Sequence, residues 1–245
     1  MIILYRFSLT AGTPLRSSDG YRLYGWLMEQ VPEELGELLH QQQLTPISQH
    51  LLCDRDVSSW TVALLDSAVQ EILVPVLDNL RSIPLHGDSC QAQLAERRQI
   101  DSVQELISAG AAMGARKRIT LQFCSPASFK QNNRYVLFPQ ERLILQSLIA
   151  KWDALLPEYP LNDPDAVQML ENGIHITDYK LRSARYFLKG THIPGFIGQI
   201  TLTVSLSPPM QQIWNALCVL APFTGIGIKT ALGMGGVRIL PENQE

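Results

Sequence analysis

Little in this sequence points to a membrane, an export route or a metal. No apolar run approaches the ~18 residues that a membrane-spanning helix needs. The longest candidate, around Ile213 to Phe223, falls short. The first residues, M-I-I-L-Y-R-F-S-L-T, carry no basic leader segment or cleavage motif and read as a strand. Cysteine is scarce: Cys53, Cys90, Cys124 and Cys218 stand apart, with no C-x-x-C pair. That spacing argues against a zinc site and a disulfide framework, so a reducing cytoplasm is the expected compartment. His50 and Cys53 form a lone H-x-x-C, and two ligands do not make a zinc site. No metal, no cofactor and no membrane partner are expected. Charge is sparse too, at 18% of residues and a net −3, which argues against a general nucleic-acid binder working by bulk charge.

What is present is a folding composition, with 46% hydrophobic residues in a chain of 245, enough for one large domain or two small ones. The charge is unevenly spread. Residues 1–113 hold 7 Lys and Arg against 14 Asp and Glu, whereas residues 114–245 hold 13 against 9. A basic half joined to an acidic half is what one phosphate-binding surface would produce, although ordinary scatter of surface charge gives the same count.

The most unusual stretch is Thr224 to Arg238, T-G-I-G-I-K-T-A-L-G-M-G-G-V-R, in which Gly225, Gly227, Gly233, Gly235 and Gly236 interleave with Lys229 and Arg238. Glycine permits positive φ and close approach of another molecule to the backbone, and successive amides can form an anion-binding concavity. The plainer reading is a glycine-rich connection into a last strand. A Walker loop would need Gly directly before Lys-Thr, where Ile228 stands; the dinucleotide fingerprint would need Gly at position 230, which is Thr.

Periodicity and turn signals order the rest. Ile2 to Leu9 reads as a strand, and Leu23 to Gln30 and Pro32 to Leu39 as helical. Strands follow at Pro46 to Leu52 and Trp60 to Leu65, a helix at Ser67 to Leu80, and a weaker strand at Ile83 to Leu94. Ile100 to Gly110, with Ser102 and Glu105 as a capping box, reads as a connecting helix. The order then repeats: a strand at Arg118 to Phe123, a helix at Gln140 to Leu155, a long hairpin (Ile174 to Phe187 and Ile197 to Leu206, turning around Gly190 and Pro194-Gly195), a helix from Pro209 to Leu220, and a strand at Val237 to Leu240. The predicted fold class is α+β: two tandem ferredoxin-like (RRM-like) domains, each β-α-β-β-α-β, over 1–112 and 113–245.

The pattern G-I-G-I-K-T-A-L-G-M-G before a final strand resembles the C-terminal loop of the CRISPR-associated endoribonucleases that cut precursor CRISPR RNA within its repeats, the sixth Cas family of the RAMP superfamily. Ser125-Pro126-Ala127-Ser128-Phe129-Lys130, followed by Phe138-Pro139 and a helix, is a second block similar to that family. The resemblance implies tandem ferredoxin-like domains, and a metal-independent cut in which the ribose 2′-hydroxyl attacks to leave a 2′,3′-cyclic phosphate and a 5′-hydroxyl. It also implies repeat RNA, as a short stem-loop, for the partner, and leaves open a homodimer and hand-over to effector-complex subunits.

Metal-free cleavage needs a proton acceptor, a proton donor and positive charge at the phosphate. His40, in the sequence Leu39-His40 after a predicted helix, matches the position of the family's usual catalytic histidine; taken alone it reads as a surface histidine at a helix end. Tyr24 resembles the tyrosine that joins it in some members, and otherwise reads as a half-buried aromatic beside Leu23, Trp26 and Leu27. The lysine that some members place after the histidine is missing here, since no lysine lies between His40 and Arg55. His50, Arg55 and a residue of the second domain are candidates for that charge, although His50 in a strand reads more readily as an inward or edge histidine.

For RNA binding the candidates are Lys117, Lys130, Lys180, Arg182, Arg185 and Lys189, with Lys229 and the loop glycines Gly225, Gly227, Gly233 and Gly235. Lys180 and Arg182 share a strand face by period two, and Tyr179, Tyr186 and Phe187 are interleaved as stacking surfaces. The hairpin charges read alternatively as a solvated face. Two rivals to cleavage stand: a repeat-binding protein that does not cut, and a ferredoxin-like protein whose glycine loop holds a small anion.

Overall fold

The computed structural model describes residues 2–33, 36, 45–53 and 57–241. Its first half runs β1 (Ile2–Thr10), a 3-10 turn (Ser17–Asp19), α1 (Gly20–Glu29), β2 (Ile47–Leu52), β3 (Ser58–Leu64), α2 (Ser67–Asp78), β4 (Ser82–Leu85) and β5 (Asp88–Ile100). Its strands form an antiparallel sheet in the order β2-β3-β1-β5-β4. Alternation along β1 decides what each face does. Ile3, Tyr5, Phe7 and Leu9 point to one side, where Leu23 and Leu27 of α1 and Val69, Leu73 and Leu77 of α2 cover them. Ile2 and Leu4 point to the other, and join the core of the second half. The first sheet is therefore apolar on both faces at the start of this strand, and polar on the second face from Arg6 onward.

After α3 (Val103–Ala112) come β6 (Arg118–Ala127), a small hairpin of β7 (Phe129–Gln131) and β8 (Arg134–Val136), α4 (Glu141–Leu155), α5 (Pro164–Gly173), β9 (Ile174–Leu188), β10 (Thr191–Val204), α6 (Pro208–Thr224), a 3-10 turn (Thr230–Leu232) and β11 (Val237–Leu240). The second sheet has the order β11-β6-β10-β9. Within each half the last long strand pairs with the first, the first with the third and the third with the second. That is the ferredoxin-like arrangement expected from the sequence, with β4 added at the edge of the first sheet.

The structure departs from the sequence reading at several places. The strand expected over Ile83 to Leu94 is a hairpin, turned by His86 (φ 56) and Gly87 (φ 79), because apolar alternation continues on both sides of the turn and conceals it. Pro194-Gly195 lies inside β10 and the hairpin turns at Lys189-Gly190; Gly195 is needed in the strand because a Cβ there would come within 2.2 Å of the Ala127 carbonyl oxygen. Helix α5 has no counterpart in the sequence reading, since it is only 10 residues long and fully buries only Leu170 and Gly173. The helix expected over Pro32 to Leu39 lies, apart from residues 32, 33 and 36, outside the described residues.

Helix α3, which the sequence reading places with the first half, lies on α6 of the second. Gly110 admits the contact, because a Cβ there would stand 2.8 Å from the Ala216 nitrogen. The buried Asn215 amide donates to the carbonyls of Gly110 (3.1 Å) and Gly114 (2.9 Å). A second buried donor closes α6 itself: Lys151 of α4 gives Nζ hydrogen bonds to the carbonyls of Thr224 (3.1 Å) and Gly225 (2.7 Å). Burial lowers the Lys151 pKa from 10.5 to about 7. The unfolded chain therefore binds more protons between those values, so stability rises as pH climbs from about 7 and the gain is complete above 10.5. Urea unfolding should show the wild-type midpoint rising with pH across that window, relative to Lys151→Met, whose profile lacks this contribution.

Candidate nucleic-acid interface

The glycine loop is a dock between the two sheets. Gly233 meets Gly20 at the start of α1 so closely that a Cβ on Gly233 would lie 3.3 Å from the Gly20 Cα and 2.4 Å from the Tyr186 hydroxyl. That hydroxyl donates to the Leu232 carbonyl. Gln49 of β2 completes the joint: its Nε2 donates to the carbonyls of Gly20 (2.7 Å) and Ala231 (3.0 Å), and its Oε1 accepts from the Trp60 indole N–H at 3.0 Å. Both donors of this buried amide, and one acceptor site of its oxygen, are thus spent across the junction.

The expected anion concavity is not what most of the loop amides form. The Gly225 N–H donates to Ala221, that of Gly227 to the Ser147 hydroxyl and that of Gly235 to Pro126, while Ile226 and Ile228 donate to Gly235 and Ser128. Gly225, Gly233 and Gly235 are buried and Gly227 partly so; their lack of side chains serves close packing and positive φ. Lys229, itself at φ 56, is the exposed cation of the turn.

Beside this joint lies the buried His50. Its ring covers Gly236, where a Cβ would fall 2.1 Å from Cγ, and its Nε2 has no hydrogen-bond partner. Burial, with Arg238 and Arg6 nearby, lowers its pKa to about 3, so the ring is neutral at physiological pH. This corrects the expectation that His50 supplies positive charge. The cations are the arginines themselves. Arg6 of β1 and Arg98 of β5 both pair with Glu96 (Arg98 at 3.1 Å), and each has its pKa lowered by burial and by Arg238. Two guanidiniums thus share one carboxylate, with a third, that of Arg238, near enough to act on both.

On the second sheet, strand register turns isolated residues into a line. Arg238 pairs with Gln122, Gln122 with Gln199, and Gln199 with Lys180, so one polar row crosses β11, β6, β10 and β9. At about 4.8 Å per strand the row is roughly 14 Å long. Arg182 stands one place along, in a cavity of about 400 Å³ that Lys180, Gln122 and Ile197 line together with Leu52 of the first sheet. Arg6, Arg98 and the two glutamines escape a sequence reading because nothing local marks them; cross-strand register alone brings them together.

The other expected residues are dispersed. Lys117 is exposed just before β6, whereas the glycine loop docks at the strand's far end, about 30 Å along the extended chain. Lys130 is exposed on the β7–β8 hairpin and Arg185 on β9. Lys189 stacks its ammonium on the Tyr21 ring, 5.6 Å from the centroid, and so contacts the first half. Tyr24 is buried on α1, with burial and Tyr21 raising its pKa, so its phenol stays protonated. His40 and Arg55 lie outside the described residues. His86, given no role from sequence, bonds the buried Asp19 carboxylate at 2.9 Å and ties the β4–β5 turn to the start of α1. Among the described residues no group of three or more His, Cys, Asp or Glu is placed to hold a metal ion.

Residues 121–237, which hold the glycine loop and all of the polar row except Arg238, match the family model of the CRISPR-associated endoribonuclease Cas6. The Cas6 endoribonuclease of Streptococcus thermophilus is 26% identical over 219 residues, 89% of this chain and 90% of that protein. That of Mycobacterium tuberculosis is 29% identical over 227 residues, 91% of this chain and 72% of its own. A solved Cas6 product complex superposes with a TM-score of 0.77 at 25% identity, covering 98% of this chain and 99% of the other. The Cas6 of Thermus thermophilus gives 0.74 at 26% identity, with 98% of each covered. Over nearly its whole length the chain is thus similar to Cas6 endoribonucleases, and the family model covers most of its second half.

The joint makes two predictions. Gln49→Leu leaves the Gly20 and Ala231 carbonyls and the Trp60 N–H without their partner, at about 1–3 kcal/mol for each group that stays unsatisfied; urea unfolding should show the loss. His50 has its folded pKa below the unfolded 6.5, so its contribution is complete above 6.5 and is lost as pH falls toward 3. Acid titration of the unfolding midpoint should show that loss in the wild type and a weaker one in His50→Phe.

Proposed function

We propose that the chain cleaves precursor CRISPR RNA within its repeats, without a metal, in the manner its sequence resemblance implies. What chiefly supports this is the polar row Arg238–Gln122–Gln199–Lys180 beside Arg6 and Arg98. Guanidiniums whose pKa values are lowered by burial and by a neighbouring guanidinium gain stability from an added anion, and a line of cations and amides suits a sugar-phosphate backbone. In the reaction the 2′-oxygen attacks phosphorus and gives up its proton to a base, the bond to the 5′-oxygen breaks, and an acid protonates the leaving oxygen. His40 serves as one of these groups. Tyr24, kept protonated, orients the phosphate or donates a hydrogen bond to it, and the arginines near the cleft meet the transition-state charge. Lys180, Arg182 and Lys229 hold the RNA, with Lys117, Lys130, Arg185 and Lys189 as outlying contacts.

The deciding experiment incubates labelled repeat RNA with the protein in EDTA, beside His40→Ala and beside RNA carrying one 2′-deoxyribose at the cut. A single cut that survives EDTA and is abolished by either change is the expected result. A cut that needs added metal overturns the mechanism, and tight binding without any cut establishes the repeat-binding rival, which the absence of a lysine between His40 and Arg55 favours. Binding should also weaken with salt, with a log–log slope of about −4 to −5 if four to six phosphates are held on a duplex, and Lys180→Ala with Arg182→Ala should flatten it by about 1–2.

A further inference from the structure

The polar row ends at the free edge of the second sheet, since β9 has a neighbour on one side only. Consecutive residues of a strand face opposite ways, so Lys180 belongs to the cleft face and Tyr179 to the helix-covered face. Register agrees, because Tyr179 pairs with the buried core residue Ile200. Yet Tyr179 is not covered: it is 56% exposed, and so is half of Phe138, the ring it meets edge-to-face at 5.4 Å. Scattered exposed aromatics are ordinary. Two in contact lining one cavity, with Leu137 also half exposed beside them, leave an apolar surface without a partner.

That cavity, about 630 Å³, is bounded by Phe138, Pro139, Gln140, Glu141, Ile176 to Asp178 and Tyr179. Its size lies in the range of small-molecule and cofactor sites. Its polar groups differ from those of the cleft. Glu141 is already engaged by the Ile176 N–H at 2.8 Å, and Gln140 makes no side-chain cap to α4. Asp178, next to Tyr179 in the strand and paired with Thr201, falls on the cleft face with Lys180. The Glu141 carboxylate beside the cavity disfavours a phosphate, whereas that carboxylate and the Gln140 amide beside an open aromatic face suit the N–H and C=O edge of a base.

We infer that the Phe138–Tyr179 cavity is a stacking pocket for one unpaired nucleobase of the RNA, whose backbone crosses the edge of β9 at Lys180 and Arg182. This rests on the RNA-binding part of the proposed function and adds to it a base-contacting site on the opposite face of the sheet. The backbone on the cleft face and the base on the helix face are served by adjacent residues of one strand, Lys180 and Tyr179. Stacking on Tyr179 would bury the exposed ring, and Phe138 would close the back of the pocket.

The test uses fluorescence anisotropy at low salt with two labelled probes, a ten-nucleotide single-stranded RNA and the same backbone made abasic throughout. Wild type should bind the RNA with bases about 5- to 100-fold more tightly than the abasic strand. Tyr179→Ala and Phe138→Ala should each shrink that ratio while leaving abasic binding and the melting temperature unchanged, and Tyr179→Phe should restore it. Lys180→Ala with Arg182→Ala should weaken both probes alike. Equal binding of the two probes by wild type, or a ratio unaltered by both alanine variants, overturns the pocket and leaves the aromatic pair to a protein partner. Failure of wild type to bind either probe overturns the pocket together with the RNA-binding reading on which it rests.

Discussion

Two sheets of different sequence are held together by a contact that only glycine allows. Gly20 at the start of α1 and Gly233 in the C-terminal loop approach until their backbones touch, and the Gln49 amide reaches both sides. A side chain on Gly233 would displace the Tyr186 hydroxyl; one on Gly236 would displace His50. Much of what makes the loop distinctive follows from this packing. Positive φ at Gly225, Gly227, Gly233 and Gly235 turns the chain tightly enough to return β11 beside β6, and β11 in turn brings Arg238 into the polar row. Binding geometry therefore depends on an interior constraint rather than on open amides.

The electrostatics of the junction have the same logic. A protein concerned only with stability would not set Arg6 and Arg98 on one Glu96 with Arg238 nearby, because partial burial and repulsion from Arg238 disfavour the charged forms of Arg6 and Arg98. The His50 ring between them avoids adding to that cost by staying neutral. Such an excess of cations is stable alone only because the fold is fixed elsewhere, by the apolar core that Ile2, Leu4, Ala63 and Ile100 share with the second half. An anion arriving at the cleft relieves a repulsion already present. This gives a phosphate backbone a larger gain than isolated surface lysines would.

The fold is largely legible in the sequence because apolar periodicity records which face of each element is buried, and the two repeats of strand and helix have clear periods. Legibility ends where the cause is not periodic. The turn at His86-Gly87 interrupts an alternation that resumes at once, and α5 buries too little to announce itself. In the candidate site Lys180 and Arg182 are readable as one strand face, since two residues on one strand need no knowledge of its neighbours. Arg6, Arg98, Gln122 and Gln199 are not, because their proximity is a matter of register between strands far apart in the chain. The glycine loop stands out by its pattern, but the pattern does not reveal its physical purpose, because amides that could cradle an anion are mostly consumed internally. His40, on which the proposed chemistry turns, lies outside the described residues, so its role rests on resemblance.

The hairpin strand β9 shows how one set of residues meets two demands. Its 15 residues form a long edge, and an unpaired edge invites pairing with another chain. Lys180, Arg182, Arg185 and Lys189 guard that edge by charge, which any soluble sheet protein needs. Guarding does not require that they align with Gln199, Gln122 and Arg238, nor that a pair of aromatics stand uncovered around the same edge. Arg185 and Lys189, of the same parity as Tyr179, guard the edge without joining that row. In the middle of the strand, however, Lys180 continues the row on the cleft face with Arg182 beside it, while Tyr179, next to Lys180, lines a cavity on the other face. Charge on one side and a ring on the other, from adjacent residues, suit a polymer whose backbone is anionic and whose bases are flat, as the proposed RNA-binding edge requires.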